Sequence, residues 1–266
     1  MIRLTTTALL MALAIILSRV PGLSTYLIIG GVQLVKISFG SIPILISGLI
    51  CGPFYGALCG AGSDIIGSFI NPAGAYFPGF TIDTMLFGLL PPLLLKLVKG
   101  QDIKEFFSSM ILVAVCTIGL YANIPFVNQI KVGELKFEIN TLWTVLIPLI
   151  YLALFSVVSL VFFLLSKNRK KKEGFSFLDI SLAFYIKEFI ITPYLASLWL
   201  YYYYGISYSF SFVNQLFVRG IQIIPFIIIS YLIMIPISIV SRPLIASTYG
   251  EKKKIYSKVN GGKRLA

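Results

Sequence analysis

The chain is predicted to be an all-α integral membrane protein, a single transmembrane domain over 1–266 with both termini in the cytoplasm. Three observations lead there. Hydrophobic residues make up 58% of the 266 positions and mean hydropathy is +0.92, where soluble globular proteins hold roughly 45–50% apolar residues. Charged residues are only 12%, too few to build a water-soluble shell. The net charge of +12 is gathered in short runs between apolar stretches, as cytoplasmic loops require.

The same composition excludes several function classes. There is no histidine, which removes His-ligated metal sites, Ser-His-Asp chemistry and histidine proton relays. Cys51, Cys59 and Cys116 form no CxxC pair and lie in apolar segments, so they read as buried, inert thiols. The basic excess reads as orientation in the membrane and not as nucleic-acid binding. No metal or cofactor is implied.

A spanning helix needs about 20 apolar residues, and breaks at Gly, Pro and charge delimit the candidates in order. The first, at about 4–20, follows Arg3; no small-x-small cleavage site comes after it, so it reads as an uncleaved helix and not a signal peptide. Ala8 and Ala12 make a small-xxx-small pair on it, a pattern that admits close approach of another helix. The second and third, at about 41–52 and 54–70, are short and separated only by Gly52-Pro53. With Gly48, Gly52, Gly56 and Gly60 spaced by four, they read as a tight hairpin with close backbone approach. The fourth runs over about 80–98. A fifth and sixth, at about 106–127 and 141–166, are joined by an outer loop carrying Lys131, Glu134, Lys136 and Glu138. The seventh covers about 177–204 and the eighth about 213–240, before a basic tail over 241–266.

Charge fixes the orientation. With the N-terminus inside, Arg3, Lys96, Lys99, Lys104, Lys167, Arg169, Lys170, Lys171 and Lys172 are cytoplasmic, as are Arg242 and the tail residues Lys252, Lys253, Lys254, Lys258, Lys263 and Arg264. Only Arg19, Lys36, Lys131 and Lys136 fall outside. That asymmetry is the positive-inside pattern.

Ionisable groups at membrane depth are costly, and usually face a cavity or a partner. Arg19 ends the first helix, Lys36 sits in the loop after it, Asp64 lies in the third, Asp83 opens the fourth, and Arg219 is about 9 Å into the last span at 1.5 Å per residue. Lys187 and Glu188 sit near mid-depth in the seventh. Three cations toward the outer side suit an anionic ligand; Asp64 and Asp83 could equally neutralise Arg19 and Arg219. The outer loop INPAGAYFPGFT over 70–81 is rigid and aromatic, and Tyr76, Phe77 and Phe80 there are placed to stack on a flat ring. The aromatic run from Trp199 to Tyr204 reads instead as an interfacial belt. Asn71 and Gln215 are candidates for the rim.

Taken together, GSIPILISGLICGPFYGAL (40–58), Asp64, NPAGAYFPGFT (71–81), GLLPPLLLK (88–96), SLWLYYYYG (197–205) and RGIQIIP (219–225) resemble the folate-type S-components of energy-coupling factor (ECF) vitamin transporters. The resemblance implies a six-helix core, here 1–100 and 177–240, that binds a vitamin from outside. The partners implied are a folate-like vitamin, membrane lipid, and a transmembrane scaffold subunit carrying two ATPase subunits. In that family the helix-one AxxxA pair faces the scaffold, so Ala8 and Ala12 are expected to dock there. The chain has no GxxxxGK[ST] phosphate loop, which fits a subunit that does no ATP chemistry. The helix pair at about 105–166 departs from the family pattern, and another vitamin such as pantothenate fits the same resemblance. Two other classes stay open: a stand-alone proton-coupled transporter using Asp64 or Glu188, and an intramembrane enzyme using Asp64 and Asp83.

Overall fold

The computed structural model describes residues 1–19, 24–29, 32–70, 76–98, 102–127, 131–132, 135–136, 141–167 and 175–249. Each apolar run becomes a helix: α1 Ile2–Arg19, α2 Ser41–Cys51, α3 Pro53–Ile70, α4 Pro78–Val98, α5 Asp102–Val127 and α6 Thr141–Lys167. The seventh run is composite, with α7 Phe177–Tyr185, a π-helical segment Ile186–Ala196 and α8 Ser197–Tyr204. The last is α9 Tyr208–Val240, followed by a short α10 Arg242–Tyr249. Among the described residues, five helices (α1, α4, α5, α6 and α9) are long and apolar enough to cross a membrane on their own. The protein is a multi-pass membrane protein of the cell membrane, helical as the composition demands.

Two details differ from the expectation. The outer connection after α1 is a β-hairpin, β1 Ser24–Ile29 with β2 Val32–Ser38, in which Tyr26 pairs with Lys36 and a bulge falls between Leu27 and Ile28. A second small hairpin, β3 Lys131–Val132 with β4 Leu135–Lys136, joins α5 to α6. The strands of both are too short to span, and pairing satisfies their backbone groups instead. The other difference is α9, which starts at Tyr208 and not near 213. The Ser-rich start YSFSF lowered the hydropathy without breaking the helix.

Helix α2 is buried along its whole length, packed by α1, α3 and α4. The other helices keep large apolar side chains exposed, for example Ile111, Ile118 and Tyr121 on α5 and Leu149, Val157 and Leu164 on α6. In a membrane these face lipid, which is why exposure here costs nothing. Helix α5 packs on α6, α7, the π segment and α9, with Val113, Cys116, Leu120 and Ile124 inward. The three cysteines are free and buried as expected.

Glycine decides how α2, α3 and α4 meet. A Cβ on Gly48, Gly56 or Gly88 would run into the facing backbone: Gly88 O for the first two, Gly56 O for the third. The spaced glycines therefore serve a three-helix crossing as well as the hairpin. Gly52 turns the chain between α2 and α3 at φ +113° and ψ 167°, a region essentially reserved for glycine. Gly52→Ala is expected to cost about 1–3 kcal/mol, read as a lower melting temperature of the detergent-solubilised protein. At this inner end Thr248 Oγ1 of α10 donates to Ile50 O at 3.0 Å, and Arg3 hydrogen-bonds Ser247. Helix α7 starts with a capping box, Ser176 N to Asp179 Oδ2 at 2.8 Å and Asp179 N to Ser176 Oγ at 3.1 Å, which supplies acceptors to amides that no turn precedes.

Candidate functional site

Helix α9 carries a polar stripe in an otherwise apolar span. Ser211, Gln215, Arg219 and Gln222 recur at helical spacing and all are buried. Because α9 begins at Tyr208, Arg219 lies roughly 16 Å along it at 1.5 Å per residue, deeper than the expected 9 Å. Its guanidinium meets the π segment: Arg219 Nε is 3.4 Å from Glu188 Oε2. Glu188 Oε1 is in turn 2.7 Å from Lys187 Nζ, and that ammonium sits 5.1 Å from the centre of the Phe87 ring of α4. A π-helical stretch widens the helix and is often found where a protein acts.

Nearer the outer end a separate pair forms. Arg19 Nη2 lies 3.2 Å from Asp64 Oδ1, and Thr81 Oγ1 donates to Asp64 Oδ2 at 2.7 Å. Tyr76 OH is 2.9 Å from the same Thr81 oxygen, so the aromatic loop is tied to α3 through one hydroxyl. Gly67 makes room for the guanidinium, since a Cβ there would stand 2.8 Å from Arg19 Nε. Of the pairings open to Asp64, Arg19 takes it. Asp83 pairs with neither arginine; it accepts from Trp199 Nε1 at 3.1 Å.

Phe77 is the centre of the aromatic mouth. Its ring centroid lies 5.9 Å from Phe80, 5.8 Å from Trp199 and 4.7 Å from Tyr203. Gly79 permits this, because a Cβ there would collide with Phe77 and stand 2.7 Å from Trp199 Cδ2. The run expected to be a belt is thus divided. Tyr201, Tyr202 and Tyr203 are all exposed, as a belt requires, but the rings of Trp199 and Tyr203 also contact Phe77.

The structure brings Arg19, Asp64 and Tyr76 together through Thr81, and places Phe77 and Phe80 against each other. Gln215 and Arg219 stand on one face of α9. Lys36 is in strand β2, its side chain outside the described residues, and Asn71 lies outside them altogether. Ala8 and Ala12 are both exposed on α1. Sequence reasoning passed over Gln222 and Thr81 as site residues and assigned Trp199 to the interfacial belt. Gln222 could have been found as the next polar position on the Arg219 face; the other two carry no signal without the fold. Among the described residues no cluster of acids, cysteines or histidines could hold a metal.

Comparison with known proteins bears on this arrangement. A model for the ECF transporter, substrate-specific component, matches residues 2–156, more than half of the chain. A 53-residue stretch is 45% identical to the folate transporter FolT of Clostridium novyi (strain NT), covering 20% of this chain and 31% of that protein. The match thus spans about a third of that relative's length. A crystal structure of FolT bound with folic acid aligns with a TM-score of 0.48 and 19% identity, over 86% of this chain and 90% of that one.

Proposed function

This chain belongs to the substrate-specific components of ECF transporters, and on that premise we propose that it captures a folate-like vitamin from outside and delivers it through a shared membrane scaffold powered by two ATPase subunits. The observation that carries the reading is the buried Arg219 guanidinium on the polar stripe of α9. A charge at that depth is costly, and the carboxylate that meets it, Glu188, is shared with Lys187. The short match to a protein named a folate transporter puts folate or a reduced folate first and pantothenate second.

In this reading Arg219 and Lys36, with Arg19, hold ligand carboxylates through forked or point-charge contacts. Tyr76, Phe77 and Phe80 stack on the ring. Asp64 accepts from ring nitrogens with the lone pairs that Arg19 and Thr81 leave on its two oxygens, and Asn71 and Gln215 line the rim. The test is calorimetric titration of the purified protein in detergent with folic acid, 5-formyltetrahydrofolate, pantothenate, riboflavin and thiamine. Nanomolar binding of a folate is expected. Tight binding of pantothenate alone would replace the vitamin, and silence from folded protein across the panel would overturn the reading.

The exposed Ala8 and Ala12 leave a smooth strip on α1 on which the scaffold can approach closely. Ala8→Trp and Ala12→Trp are expected to leave vitamin binding unchanged and to abolish ATP-driven uptake in vesicles holding the complete transporter. Uptake at the normal rate in both variants would remove α1 as the docking face.

A further inference from the structure

Two cations and one carboxylate meet between the π segment and α9. The side chains are nearly inaccessible, at 15% exposure for Lys187, 1% for Glu188 and 9% for Arg219. Among the described residues no second acid enters the group: the charges acting on Glu188 are those of Lys187 and Arg219, and Asp64 and Asp83 are engaged elsewhere by Arg19, Thr81 and Trp199. With each side chain in its ordinary ionised form, the group has two cations against one carboxylate, a surplus of one positive charge. Gln222 is nine-tenths buried beside Glu188, so its amide adds a polar, uncharged group to the two cations.

We infer that Lys187, Arg219 and Gln222 form an internal site for a single carboxylate group, with Glu188 as the fixed counter-ion that positions both cations. This deepens the proposed vitamin-binding function and rests on it for the identity of the ligand. One monoanionic carboxylate neutralises the surplus, whereas a phosphate ester at −1.5 to −2 would overshoot it. The chemistry of the donors agrees. A guanidinium presents a fork, an ammonium a point charge and an amide one N–H edge, which between them satisfy a two-oxygen planar anion. Arg19 belongs to a separate group, paired with Asp64. The Phe87 ring beneath Lys187 holds the ammonium in place by its π face and closes the site from the α4 side.

The test uses the full chain in detergent, in its wild-type form and as Lys187→Met and Gln222→Leu. Removing the surplus charge should leave the ligand-free melting temperature of Lys187→Met at or above that of wild type, since Glu188 and Arg219 remain a balanced pair. Its affinity for folic acid should fall at least tenfold, and Gln222→Leu, which changes no charge, should also lose affinity. Wild-type affinity for folic acid in both variants overturns the carboxylate site and leaves the vitamin reading standing. If wild type binds no folic acid, the vitamin reading fails and the site is judged by smaller probes. Benzoate or 4-aminobenzoyl-L-glutamate should then raise the melting temperature of wild type while benzamide does not. Equal shifts with benzoate and benzamide, or none with any probe, overturn the site, even where the variants do not fold.

Discussion

Arg219→Ala is expected to weaken folic acid binding by about a hundredfold or more, the equivalent of roughly 3 kcal/mol. The magnitude follows from what is lost. A charge-assisted, forked contact to a carboxylate contributes about 1.5–3 kcal/mol, and a buried one more, because water cannot replace it. The variant should still fold. Truncating one partner of a buried ion pair usually strands the other charge at a cost of about 3–5 kcal/mol, but Glu188 keeps Lys187 at 2.7 Å and the remaining pair is neutral. Binding and folding therefore separate in this variant: calorimetry reads the first and the melting temperature the second. Arg219→Lys should recover only part of the affinity, since an ammonium lacks the fork. Unchanged affinity in Arg219→Ala would refute the assigned role.

Gly88→Val is expected to prevent folding, and Gly56→Val to do the same. Gly56 and Gly88 face each other backbone to backbone across α3 and α4, and a Cβ on either would lie inside the carbonyl of the other. Ordinary overpacking costs about 1–3 kcal/mol because side chains can shift. Here the obstacle is main chain in two rigid helices, so the crossing itself must open, at a cost beyond about 4 kcal/mol. The measurement is the yield of monodisperse protein on size exclusion in detergent. Near-normal recovery of Gly88→Val would mean that the crossing is looser than described. Because α4 also carries Asp83 and Phe87, opening this crossing would displace both from Trp199 and Lys187.

Most of the helices were legible because a membrane imposes a one-dimensional rule: apolar runs of sufficient length between charges become spans. The Gly52-Pro53 hairpin was legible for a similar local reason, as a glycine-only turn beside a residue that cannot continue a helix. The start of α9 was not, because hydropathy falls over YSFSF while helical backbone bonding does not depend on it. The π segment was invisible as well; nothing in IKEFIITPYLA distinguishes a wide helix from an ordinary one once neighbours dictate the spacing. The β-hairpin over 24–38 was read as loop because its strands are short and lie outside the spans.

For the site, the residue types were legible and the pairings were not. A lone Arg in an apolar span announces itself, and so Arg19, Asp64, Asp83 and Arg219 stand out on inspection. Their partners depend on rotation and depth of helices far apart in the chain. Asp64 lies 45 residues from Arg19 in sequence and 3.2 Å from it in space, while Glu188 meets Arg219 only because the π segment and α9 pack together. The aromatic run over 199–204 shows the same division, since consecutive tyrosines look alike in sequence and only helix phase sends Tyr203 to Phe77 and Tyr202 to lipid.

By itself, the sequence determined that this protein lies in the membrane, where its apolar helices run and which charges must be accounted for. Each of these follows from transfer free energies that act residue by residue. Only the tertiary structure decided which of the described charges meet, Arg19 with Asp64 and both Lys187 and Arg219 with Glu188, because Coulomb pairing in a low dielectric depends on distances that no local rule sets.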